Sequence, residues 1–221
     1  MVVALDSVLS ILLIVLGYVA VCYVLHHIKW NKIDVGVLKL SRNKILYLSS
    51  VLIVCGIMIY MLQFFYKIPM LSQFKLLTLI LILFPTAAVD YKIKKIPNKF
   101  LIAGLILRMV FYIFEFIQSF ENAFSVLKDN LLAVVIYGVF FLLLLLVFKN
   151  SIGMGDIKLF ALMGLYQGIW GTFSAIFFSL VVSFFVSIYL LITRKKKKKD
   201  TIPFGPSILI GTFLSICLSG M

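Results

Sequence analysis

Apolar residues run in long unbroken blocks, and polar residues are confined to short gaps between them. The blocks are continuous, without the alternating polarity that a membrane β-barrel would show. A helix crossing a bilayer needs about 20 such residues. On that measure the pattern predicts helices over 7–25, 45–66, 70–89, 99–118, 130–148, 156–168, 170–193 and 204–220. The sixth is short and Gly-rich, and it is parted from the seventh only by the turns at Gly168 and Gly171. The fold class implied is all-α, a polytopic membrane protein of about eight transmembrane helices. No hydrophilic stretch is long enough for a soluble domain, so one membrane domain is expected over 1–221. Helices one and two with a basic loop occupy 1–66, and a core occupies 70–221.

Composition agrees. The chain is 63% hydrophobic and 13% charged, far from the half-apolar, quarter-charged usage of soluble domains. The net charge of +13 invites a nucleic-acid reading, but the placement of the charges argues against one. Seventeen of the 21 basic residues fall in four loops: 26–44, 92–99, the segment holding Lys149 and Lys158, and 194–199. These are every second loop, so the positive-inside rule puts them in the cytoplasm and both termini outside. The charge then serves topology and anionic lipid, and no nucleic-acid partner is expected. The N-terminus lacks the basic leader and small-residue site of a cleavable signal peptide. Cys22, Cys55 and Cys217 are isolated inside apolar runs, which leaves no zinc motif and no disulfide framework. His26 and His27 are adjacent and lack further ligands, so they suit a headgroup-level position. No metal or organic cofactor is expected.

The chemistry rests on eight acidic residues. Asp6, Glu121 and Asp129 fall in outer segments, and Asp34 and Asp200 in basic loops. Glu115 lies seven residues after Arg108 on one helix face, where a structural ion pair is the favoured reading. Asp90 and Asp156 differ. Asp90 ends the third predicted helix and opens the loop Tyr91 to Asn98; Asp156 starts the sixth, inside Gly153-Met154-Gly155-Asp156-Ile157-Lys158. Two helices lie between them, so the topology returns both to the same membrane edge. Gly153 and Gly155 allow backbone conformations closed to other residues and a close approach. Pro97-Asn98 opens the fourth helix, with Asn98 as a plausible cap. Two readings stand at this point. The aspartates form an acid–base pair, or Asp156 caps a helix while Asp90 balances nearby lysines.

Three motifs together bear on that choice. Gly153-x-Gly155-Asp156-x-Lys158 resembles the GxGD signature of aspartyl membrane peptidases. Asp90 followed by Ile96-Pro97-Asn98 resembles the first catalytic motif of the type IV prepilin peptidases. Ile202-Pro203-Phe204-Gly205-Pro206 is similar to that family's C-terminal Pro-Phe-Gly-Pro segment. The resemblance spans about residues 70 to 221. It implies a membrane-embedded endopeptidase that removes the short basic leader of prepilin or pseudopilin proteins at the cytoplasmic face of the cell membrane. It carries catalytic roles onto Asp90 and Asp156, and supporting roles onto Gly153, Gly155, Lys158, Pro97 and Asn98. It also implies a pilus, secretion or DNA-uptake client. Many bacterial members carry a cytoplasmic domain with paired Cys-x-x-Cys motifs and also methylate the new N-terminus. Here the loop His26 to Lys44 has no cysteine, so methyltransferase activity is expected to be absent.

Two carboxylates sharing one proton would activate water and protonate the leaving amine. Asp156 at a helix N-terminus would be the ionised base, and Asp90 at a helix C-terminus the proton carrier. Two other readings remain. A presenilin-like intramembrane protease shares GxGD but would carry Pro-Ala-Leu, which is absent here. A proton- or ion-coupled transporter would line its path with Asp90, Asp156, Glu115 and Arg108.

Overall fold

The structure is a computed structural model, and it describes residues 29–30, 33–34, 42–147, 153–193 and 202–220. The expected helix over 7–25, the histidine pair and the basic run 194–199 lie outside the described residues. So do Cys22, Asp6, Lys149 and Asp200. A two-residue antiparallel ladder, β1 (Lys29–Trp30) with β2 (Ile33–Asp34), precedes the helices. The helices are α1 (Arg42–Tyr60), α2 (Met70–Ile93), α3 (Asn98–Gln118), α4 (Phe120–Val147), α5 (Met154–Ile192) and α6 (Gly205–Ser219). A π-helical turn, Met61–Phe65, extends α1.

Helices α2 to α5 are each long and apolar enough to cross a membrane, and α6 is a shorter apolar helix. This is the architecture of a multi-pass membrane protein. One cluster of buried side chains runs from Val51 on α1 to Ile216 on α6. Val51, Cys55, Met58 and Leu62 make its α1 stripe, at helical spacing. Large apolar side chains also face outward, among them Ile106, Ile113, Phe140 and Phe184, as expected of surfaces whose solvent is lipid. With lipid outside, burying apolar area drives little association, and close packing at small residues takes over. A Cβ on Gly164 would lie 3.2 Å from the Val134 nitrogen, so α4 and α5 meet backbone to backbone.

Two boundaries depart from the sequence expectation. First, α2 continues to Ile93, which puts Asp90 in the last turn of a helix and not in a loop. No proline or glycine intervenes before Pro97, so the helix runs on until Lys94 adopts a left-handed conformation and donates its N–H to the Asp90 carbonyl at 2.8 Å. Second, α4 starts at Phe120, ten residues before the predicted start at 130. Glu121, Asn122, Lys128 and Asp129 lowered the hydropathy there, yet all of them are compatible with helix.

The sixth and seventh predicted helices are the two arms of α5, divided at Gly168 (φ 69°, ψ −165°). A side chain there would run into the Asp129 carboxylate, so glycine is required. The break reverses the chain. In the second arm Ser174 meets Ser215 of α6, and Ser179 lies against Gly211. Residue numbers rise along one helix as they fall along the other, so the second arm is antiparallel to α6 and returns toward the α6 N-terminus.

Charged side chains close the helix ends that the break opens. Arg108 Nε donates to the Leu165 carbonyl at 2.6 Å, and the Ile169 N–H donates to Asp129 Oδ2 at 3.3 Å. Arg108 is completely buried. Its guanidinium donates twice to Glu115, each bond 3.0 Å, and stacks 3.8 Å from the Tyr112 ring centre. Lys75 reaches the same carboxylate at 3.7 Å. The Arg108–Glu115 pair expected from the i, i+7 spacing is therefore present, and it belongs to the hairpin tip.

Candidate active site

Three helix ends converge around Asp90: its own C-terminal turn on α2, the N-terminus of α5 and the N-terminus of α6. A cavity of about 260 Å³ lies between the first two. It is lined by Asp90, Lys94, Lys95, Ile96, Asn98, Gly153, Met154, Gly155, Asp156 and Lys158. Both aspartates expected to form a pair thus face one cavity, and they are close enough for their charges to act on one another. Among the described residues no group of three or more metal-ligating side chains occurs.

Each carboxylate is held by a backbone N–H. Gly205 donates to Asp90 Oδ2 at 2.7 Å, across 115 positions of sequence. Gly153 donates to Asp156 Oδ2 at 3.3 Å, across three. Asp156 therefore does cap α5, as the bland reading required, but it does so from the wall of the shared cavity. Asp90 sits on the N-terminus of α6. The helix-end argument that set Asp90 apart from Asp156 loses its basis, because both carboxylates now meet a helix N-terminus. The sequence showed only Asp90's own helix, and the α6 contact is tertiary.

The glycines serve packing. Gly153 has φ −74°, an ordinary value, and not the special conformation expected of it. A Cβ on Gly153 would stand 3.0 Å from Asp156 Oδ2. A Cβ on Gly155 would stand 2.9 Å from Ile96 Cβ, so Gly155 lets the first turn of α5 touch the loop after Asp90. Asn98 does not cap α3. Pro97 holds that position in an extended conformation, and the Asn98 Oδ1 accepts from Lys158 Nζ at 3.3 Å. Pro97 is buried behind the site and does not line the cavity. Arg108 and Glu115 do not line it either; they bond each other, and Arg108 bonds the Leu165 carbonyl.

Residues 77–191, just over half of the chain, match the type IV leader peptidase family. The chain belongs to that family. The match contains Asp90, Pro97, Asn98, Gly153, Gly155, Asp156 and Lys158, and ends before Gly205. A curated relative is the prepilin leader peptidase/N-methyltransferase of Bacillus subtilis. It is 33% identical over 66 residues, which is 30% of this chain and 27% of that protein. The matched part is well under two thirds of that relative's length. No solved structure matches.

For a leader peptidase, the residue that sequence reasoning left out of the site is Gly205. In the sequence it reads only as part of Pro203-Phe204-Gly205-Pro206, with no contact to assign to it. Here a Cβ on Gly205 would fall 2.9 Å from Asp90 Cβ and 3.2 Å from the Ala87 Cα, so α6 can reach Asp90 only through a glycine. Phe204 fixes the approach from the other side. Its ring packs edge-on to Phe160 at 6.0 Å, and Phe160 stacks on Phe141 at 4.5 Å.

Proposed function

We propose that this protein is an aspartyl endopeptidase that removes the short basic leader of prepilin-like proteins at the cytoplasmic face of the cell membrane, with Asp90 and Asp156 as its catalytic pair. The observation that carries the reading is that both aspartates line one cavity at one end of the helix bundle, each meeting a backbone N–H at a helix N-terminus. Two carboxylates facing one cavity can hold a water and a substrate carbonyl between them. One shared proton relieves the repulsion of two close carboxylates. The ionised member takes a proton from water as the water's oxygen attacks the scissile carbonyl. The protonated member hydrogen-bonds that carbonyl oxygen, and a proton then passes to the leaving nitrogen. The two titrate as a unit, and the mechanism needs no fixed assignment of base and acid.

Gly153, Gly155 and Pro97 support the pair by setting the distance between the α5 N-terminus and the loop after α2. Lys158 and Asn98 are linked at the rim of the same cavity. Family membership favours prepilin or pseudopilin substrates. N-methyltransferase activity is absent in this proposal, because the segment from His26 to Lys44 carries no cysteine. The whole chain acts as one membrane unit, with both termini outside.

The test is cleavage in detergent of a peptide with a basic leader ending in Gly, followed by an apolar segment, read by mass spectrometry. Cleavage after the Gly is expected from the native chain and from neither Asp90→Asn nor Asp156→Asn. The product should stay unmethylated when S-adenosylmethionine is supplied. Cleavage that survives either substitution would sink the dyad.

A further inference from the structure

A second depression, of about 420 Å³, adjoins the aspartate cavity on the membrane-facing side of the bundle. Asn98 and Lys158 line both spaces and form the junction between them. One wall is α3 from Asn98 to Leu105, and the other is α5 from Lys158 to Leu165. Each wall covers seven residues of rise, roughly 10 Å. Past the junction the lining is apolar, with Leu101, Ala161 and Leu162 inside and Ile102 and Leu105 half open to lipid at 56% and 40% exposure. Leu165, at the far end, is where Arg108 bonds the α5 backbone, so the groove stops at the hairpin tip.

The geometry points to this groove as the seat of the apolar segment that follows the cleaved bond in the substrate, an inference that rests on the peptidase reading above. A volume of 420 Å³ over roughly 10 Å leaves a cross-section of about 40 Å², half that of a helix about 10 Å wide. The groove therefore takes one ridge of side chains across about two turns, while the rest of the substrate helix stays in lipid. A helical peptide bond is shielded by its own turn, so the substrate must be extended where it is cut. Its backbone N–H and C=O groups there lose their helical partners and need others. Asn98 and Lys158 stand at that point, between the apolar groove and the aspartates, with amide and ammonium groups to offer. An acyl chain of a lipid is the competing occupant, but it has no use for a polar pair at the end of the groove beside two carboxylates.

Ala161→Phe fills the groove without touching either aspartate. With a substrate carrying a full apolar helix, KM should rise about tenfold or more while kcat stays within about threefold. A benzoylphenylalanine placed at Ile102, already open to lipid, should crosslink to the first seven residues beyond the scissile bond in the Asp90→Asn background. The same probe at the lipid-facing Phe177 should not. An unchanged KM in Ala161→Phe, or capture of lipid alone at position 102, assigns the groove to lipid and overturns the inference. A fall in kcat with KM unchanged overturns it too, as a distortion of the site. If the native chain cleaves nothing, the peptidase reading itself has failed, which is a separate result.

Discussion

The contact between Gly205 and Asp90 can be tested by adding one methyl group. In Gly205→Ala the new Cβ would sit 2.9 Å from Asp90 Cβ, 3.0 Å from Asp90 Oδ2 and 3.2 Å from the Ala87 Cα. The Asp90 carboxylate could swing away, but Asp90 Cβ and Ala87 Cα are fixed by the α2 backbone and cannot. The start of α6 must then move by a few tenths of an ångström, and the 2.7 Å bond from the Gly205 N–H to Asp90 must lengthen or break. A hydrogen bond to a charged group contributes about 1.5–3 kcal/mol net. Each ~1.4 kcal/mol lost from transition-state stabilisation is tenfold in rate. The predicted outcome is a fall in kcat of about ten- to a hundredfold. The assay is the initial rate of leader removal in detergent, with the melting temperature measured alongside. Gly56→Ala and Gly138→Ala are the controls, since a Cβ at either meets nothing within 4 Å. Both should keep full activity, and alanine in a helix should stabilise them slightly, by about 0.5–1 kcal/mol. If Gly205→Ala cleaves at the native rate, the contact does not position Asp90 and the argument is refuted.

Two further predictions concern the other end of the bundle. Gly168→Ala forces a side chain into a left-handed backbone and onto the Asp129 carboxylate, so stability should fall by about 1–3 kcal/mol, read as a lower melting temperature in detergent. A melting temperature equal to the native one would mean that the reversal tolerates ordinary φ. Glu115→Gln removes the charge that Arg108 and Lys75 share and leaves a fully buried guanidinium without its counter-ion. Breaking such a pair costs about 3–5 kcal/mol. Denaturant unfolding of Glu115→Gln, with the double variant Glu115→Gln/Lys75→Met beside it, should show partial recovery in the double; no recovery would mean that the two cations are not competing for one carboxylate.

Apolar run length made the membrane class and most helix positions legible from residue order alone, because a bilayer demands about 20 apolar residues whatever their neighbours. The two aspartates were legible for a related reason. Each lies at the edge of an apolar run beside glycine or proline, and the short motifs around them are contiguous in sequence. The N-terminus of α4 was not legible, because hydropathy reports where a helix leaves lipid and not where its hydrogen bonds end; Glu121 and Asp129 sit in water-compatible helix. The role of Gly205 was hidden as well, since a glycine in a proline-rich turn reads only as local geometry. Only the tertiary structure decided that its N–H reaches Asp90, that Lys158 bonds Asn98, and that Arg108 closes a helix end at Leu165. Those partners lie 115, 60 and 57 positions apart. A side chain's local sequence can specify a helix, its end and its polarity, but packing of distant helices chooses which backbone group it meets.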